Sequence, residues 1–280
     1  MDANVTGRRP HRGFTLIEML AVIVIIGILA SLITVAALNA IKKAKITRIN
    51  LEIDQMDMAL KEYKNQYGGY PPENLQDEAA VRRHLARAFP RYNANNWMDD
   101  LAAADVDPSK IKAGNALVFW LGGIPEQRGD GWVPTGFSAN PRMPFATGGS
   151  RKKPLFDFRP ERLALDENDA LAYYPDAGVD AGPEACAYHY FRPPAPAPFY
   201  GAQYDLGDRG IASLYWDTRT NEWVNQDTFQ IICAGLDNNF GSGNTFPSGE
   251  AGTAGITAYA TESFDNITNF ANGTLEDEVP

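Results

Sequence analysis

From Phe14 to Leu38 the only polar residues are Thr15, Glu18, Ser31 and Thr34. That run of about 25 residues is long enough to cross a bilayer core as a helix. The apolar pattern then thins without stopping. Ile46, Ile49, Ile53, Met56, Leu60, Tyr63 and Tyr67 recur three and four residues apart, a heptad-like seam on one face. Lys61, Glu62 and Lys64 fall on the other faces. Gly68-Gly69-Tyr70-Pro71-Pro72 ends the pattern, because glycine permits a left-handed cap and proline cannot continue a helix. The prediction is one helix from Phe14 to about Tyr67, apolar all round in its first half and amphipathic in its second.

The remaining pattern is shorter in range. Val81, Leu85 and Phe89 lie four apart and predict a short amphipathic helix over 78–88. Leu117 to Leu121 is a buried apolar segment ended by Gly122-Gly123. Residues 125–160, rich in Pro, Gly, Arg and Lys, read as loop. The acids from Asp166 to Glu184 read as a solvated face, with a cation site as the alternative, and 193–198 as a polyproline-like surface connector. Ile211–Trp216, Glu222–Val224 and Phe229–Ala234 read as strands, a hairpin and a third strand packed on the amphipathic half of the helix. Asp265 to Phe270 reads as a docked terminal segment. The fold class is α+β: a long N-terminal helix on a small antiparallel sheet, with a large loop-rich insertion.

Charge and chemistry narrow the function. The 280 residues carry a net charge of −10, with the acids mostly after residue 70, which argues against nucleic acid as a direct partner of the head. Glu18 stands in the apolar run, where an ionised carboxylate is costly without a partner. Arg8, Arg9 and Arg12 precede the run and Lys42, Lys43, Lys45 and Arg48 follow it, so charge alone leaves orientation open. Three scattered histidines offer no zinc motif, and no nucleophile elbow or phosphate loop is present. Cys186 and Cys233 permit a disulfide in an oxidising compartment without requiring one. Asp237 and Asn239 are spaced like successive ligands of a tight calcium loop, which Asn244 and Asp265 would complete. The alternative there is a metal-free Asn/Gly turn held by Asx hydrogen bonds.

Gly13-Phe14-Thr15-Leu16-Ile17-Glu18, after a short basic leader and before an apolar helix, resembles the processing motif of type IV pilins and type II secretion pseudopilins. The resemblance implies a pilin-like fold and cleavage between Gly13 and Phe14 by a prepilin peptidase. That enzyme would also methylate the new Phe14 amine. Glu18 would be the partner of a Phe14 amine, commonly a neighbouring subunit's. Four parts follow: a cleaved leader (1–13), a transmembrane or filament-core half-helix (14–38), an amphipathic half (39–70) and a globular head (71–280). The implied location is the inner membrane, single-pass, head outside the cytoplasm, and then a filament. Similarity to major pseudopilins also supports calcium near residues 237–244.

The favoured function is a structural subunit, not an enzyme, assembled into a type II secretion pseudopilus or type IV pilus-like helical homo-oligomer. Its partners would be the peptidase, other pilin-like subunits, an inner-membrane assembly platform and the membrane. Nucleic acid is not expected for a major subunit. Two alternatives stand: a minor tip pilin whose head binds a surface, DNA or cargo, and a membrane-tethered binding or enzymatic head.

Overall fold

The computed structural model describes residues 15–129, 131–193, 203–217, 219–242, 245–246, 263 and 265–278. The chain divides into two compact units, Met1–Ala44 and Lys45–Pro280. Helix α1 (Leu16–Tyr67) runs unbroken through Gly27. In the first unit its large apolar side chains from Leu16 to Ile41 are 45–83% exposed. Such a surface needs lipid or other helices to cover it.

In the second unit the seam is buried as its spacing predicts, with Ile49, Ile53, Met56, Leu60, Tyr63 and Tyr67 inside. Gly68, at φ 79°, caps the helix and returns its N–H to Lys64. The carbonyls of Pro71 and Pro72 accept from Tyr190 Oη and Trp120 Nε1, which ties the exit of the helix to the core.

Helix α2 (Glu78–Ala88) opens on Asp77, whose carboxylate accepts the Ala80 N–H. It buries Val81, His84 and Leu85. Helix α3 (Trp97–Ala102) is a short turn, and α4 (Ala113–Gly122) is almost wholly buried. Gly123 caps α4 at φ 76°, and a Cβ there would meet the Gly136 backbone at 2.2 Å, so two demands require glycine at one position. The expected apolar segment 117–121 is thus the end of a core helix.

The sheets are small and mostly antiparallel. The principal one has three strands, with Gln230–Cys233 between His189–Phe191 and Ile267–Thr268. Its side chains alternate between two cores. Tyr190, Ile231 and Cys233 join Ile53, Met56 and Leu60 of α1, whereas Phe191, Ile232 and Ala234 join Trp216, Trp223 and Phe240. Both faces are therefore covered, which is why Ile231–Ala234 reads as an unbroken apolar run.

Two expectations are corrected. Residues 125–160 are not all loop, because Pro125–Arg128 and Gly131–Pro134 form a hairpin. The Trp216–Asp217/Glu222–Trp223 hairpin also lies in a different sheet from Gln230–Cys233. The buried Gln230 side chain joins the two. It accepts the Tyr215 N–H at 2.8 Å and donates to the Tyr215 and Val224 carbonyls. Residues 194–198 of the expected polyproline connector lie outside the described residues.

Candidate functional site

The functional end of the first unit is the start of α1. Gly13 and Phe14 lie outside the described residues; Thr15 and Glu18 do not. The Thr15 N–H and hydroxyl both donate to Glu18 Oε2 at 2.8 Å, and the Glu18 N–H donates to Thr15 Oγ1 at 3.2 Å. This is a reciprocal capping box, with Thr15 as N-cap and Glu18 three residues on. It satisfies two of the N–H groups that a helix start leaves open, at a place where the apolar run offers no other acceptor. The Thr-x-x-Glu spacing carries this signal in the sequence. Glu18 thus has a local role in addition to the intersubunit one that resemblance implies.

A second carboxylate of α1, Glu52, sits in the seam of the other unit, 8% exposed. Arg162 grips it through two nitrogens at 2.8 and 2.6 Å, and the hydroxyls of Tyr173 and Tyr188 donate to it at 2.8 and 2.6 Å. Arg162 Nε in turn donates to the Tyr174 carbonyl. Burial, and then the Glu52 charge, push the Tyr173 hydroxyl pKa up, so it stays a donor. Four donors on one carboxylate make a satisfied buried ion pair. Its sequence signal is position: Glu52 lies between Ile49 and Met56 on the buried face.

The loop after Gln230–Cys233 brings Asp237 and Asp265 together. Asp265 Oδ2 accepts the N–H groups of Leu236 and Asp237, and Asp237 Oδ1 accepts the Asn239 N–H. Burial, opposed by the Asn239 N–H and reinforced by Asp265, lifts the Asp237 carboxyl to about 6. Two neighbouring carboxylates fit an oxygen-seeking cation. The Asn239 amide oxygen accepts the Gly241 N–H at 2.7 Å and its nitrogen donates to the Asp208 carbonyl, an Asx turn. Asn244 lies outside the described residues. Among the described residues no cluster of three or more His, Cys, Asp or Glu forms a metal site.

Cys186 and Cys233 are separate buried thiols, not a bridge. Cys186 Sγ donates to the Asn238 carbonyl at 3.3 Å. Burial pushes the Cys186 thiol up to about 12, which leaves it unreactive. Of the expected acidic stretch, Asp166 is structural. It accepts from the Asn168 and Ala170 N–H groups and from the Asn115 amide.

A helix capped by Thr-x-x-Glu, apolar first and then the spine of an α+β head, defines the prepilin class of subunit. Residues 8–34 match the prokaryotic N-terminal methylation motif. The chain is 36% identical over 103 residues to the type II secretion system core protein G of Pseudomonas aeruginosa, covering 36% of this chain and 70% of the relative. It is 30% identical over 132 residues to that of Klebsiella pneumoniae, covering 43% and 91%. With that of Klebsiella michiganensis it shares 41% identity over 85 residues, covering 30% and 60%. No solved structure matches. The chain belongs to the type II secretion core protein G family of pseudopilins.

Proposed function

We propose that this pseudopilin is a filament-forming subunit, held in the inner membrane by α1 with its head outside the cytoplasm. Prepilin peptidase cleaves it after Gly13 and methylates Phe14. The observation that supports this reading most directly is the capping box. It starts an exposed apolar helix at the expected cleavage point, and the same helix is the buried spine of the head. Lipid tails are as apolar as the helix, so bundling gains little from the hydrophobic effect alone. Packing, the Glu18–Phe14 amine pair and an assembly platform with other pilin-like subunits supply the direction. No enzymatic step is assigned.

Mass spectrometry of the membrane fraction should find the chain starting at N-methyl-Phe14, and electron microscopy should find it in sheared filaments. An intact Met1 start would overturn the reading. The aligned stretch accounts for only 36% of the chain, which favours, as a second reading, a low-copy subunit with a binding head. A copy number far above that of the assembly platform decides for the major subunit.

We also propose that Asp237 and Asp265 take a calcium ion, which would relieve the repulsion between them. Millimolar calcium should raise the melting temperature of the full chain, and Asp237→Ala should remove the increment. No calcium-dependent shift would leave a bare Asx turn.

A further inference from the structure

We propose that the turn at residues 140–146 of one head seats in a cleft on the next head, a knob-in-pocket contact between successive copies of this chain. The contact rests on the filament reading above.

The cleft has a volume of about 530 Å³, within the range of ligand-binding cavities. Val106, Ile111, Val118, Phe119, Trp132 and Leu171 supply an apolar wall. The rim is acidic. Three carboxylates, Asp105, Asp107 and Asp169, face one cation, Lys110, which pairs with Asp169 at 3.4 Å and also acts on Asp107, so the rim keeps a net negative charge. The Ser109 hydroxyl and N–H hold the Asp107 carboxyl below its ordinary value, so it is ionised. Among the described residues Asp105 has no ion-pair partner.

The knob has the complementary chemistry. Met143 is 55% exposed and Arg142 stands exposed beside it, its guanidinium without a partner among the described residues. An exposed cation there runs against the net charge of −10. The turn is already ordered. Asn140 accepts the Arg142 N–H on its side chain and the Met143 N–H on its carbonyl, and the Ser138 N–H holds the Pro144 carbonyl at 2.8 Å. Phe145 anchors the base among Tyr92, Phe119 and Phe137. A preformed turn loses little entropy on docking. Methionine, unbranched and polarisable, adapts to an irregular apolar wall.

Met143 does not line the cleft, although Phe145 at the base of the turn packs on Phe119 of its wall, so the docked side chain and its seat are distinct patches of one head. Contacts between different surfaces are heterologous and, repeated, give an open helix instead of a closed pair. One turn in one cleft falls far short of a stable interface of roughly 1,200–2,000 Å². The contact therefore sets the orientation of heads that the bundled α1 helices already hold at high effective concentration.

The test uses the full chain in cells with its assembly machinery. Ala102→Cys on the cleft wall and Met143→Cys on the knob are placed in one chain; both positions are exposed. Cys186 and Cys233 are buried and do not compete. Oxidation should give a ladder of dimers, trimers and longer species, with none from either single variant. Arg142→Glu should weaken the ladder at least about fivefold, and Arg142→Lys should keep it. Filaments without a ladder overturn the contact. So does a ladder that stops at the dimer, or one indifferent to Arg142→Glu. If the Ala102→Cys chain cross-links to a secreted protein instead, the cleft belongs to cargo and the contact is overturned too. Absence of filaments from the unaltered chain is a separate result: it sinks the subunit reading, and this contact with it.

Discussion

Glu18 and Glu52 are two carboxylates on one helix, and each is tied down by donors that the sequence places differently. For Glu18 the donors are three residues away, so capping and assembly can be separated by substitution. Glu18→Gln keeps a capping-box side chain but removes the charge, whereas Thr15→Val removes the box and keeps the charge. If the carboxylate draws in a Phe14 amine, Glu18→Gln should be cut and inserted yet absent from sheared filaments, and Thr15→Val should still assemble. Normal filaments from Glu18→Gln would leave Glu18 only its capping role. Other buried titratable groups act on stability. Burial lowers His84 and His189 to about 4, and between pH 4 and 6.5 the unfolded chain binds protons that the folded chain refuses. Their contribution is full above about pH 6.5 and is lost as pH falls toward 4. Glu73 has the opposite sign. Burial, opposed by the Arg192 N–H and charge, lifts it to about 7, so folded chain keeps a proton that unfolded chain releases. Its stabilising contribution falls as pH rises from about 4.5 to 7. Glu73→Gln should therefore raise the melting temperature at pH 8 by several degrees and change it little at pH 4.5. An equal shift at both pH values would show that the carboxyl does not titrate in that window.

Among the elements, α1 and α2 were legible because their apolar spacing extends over several turns, enough to fix both period and face. Strands of three residues, such as Leu171–Tyr173 and His189–Phe191, carry no usable period, and their partners lie far along the chain. Gln230–Cys233 was recognisable as a buried strand, but its neighbours were not, because pairing with Ile267–Thr268 is fixed by tertiary packing. Glu52 shows the limit most directly. A charge in a seam reads as solvent-facing unless its partners are visible, and Arg162, Tyr173 and Tyr188 stand 110, 121 and 136 residues away. The network pins α1 to the strands Leu163–Leu165 and Leu171–Tyr173 and the segment before His189. Removing one member leaves the others buried and unpaired. Glu52→Ala should cost roughly 3–5 kcal/mol in denaturant unfolding, well above the worth of an exposed pair. Arg48→Ala, at the exposed ion pair with Asp176, is the control and should cost under about 1 kcal/mol. Equal costs would mean that the buried network is not what holds the element.

For the whole molecule, the boundary that matters is where the spine of the head begins. The helix ends at Tyr67 and the glycines and prolines that follow make residue 71 look like the first residue of the head. The compact unit starts at Lys45, because the C-terminal half of α1 packs into the core of the head. Met56 and Tyr63 are fully buried, Ile49, Ile53 and Leu60 are each 1% exposed, and Glu52 holds the Arg162 charge. Each large apolar side chain contributes about 1.5–3 kcal/mol by burial. Losing five of them exceeds or matches the net stability of a domain, roughly 5–15 kcal/mol, before the stranded Arg162 is considered. A chain starting at Lys45 should therefore be soluble and melt cooperatively near the temperature of the full chain in detergent, since it keeps the buried seam from Ile49 onward. A chain starting at Pro71 should be expanded on size exclusion and show no cooperative melt by circular dichroism. A cooperative transition from the shorter chain would mean that the sheets and α4 form a core of their own. The C-terminal half of α1 would then be a docked accessory of the head, not its spine.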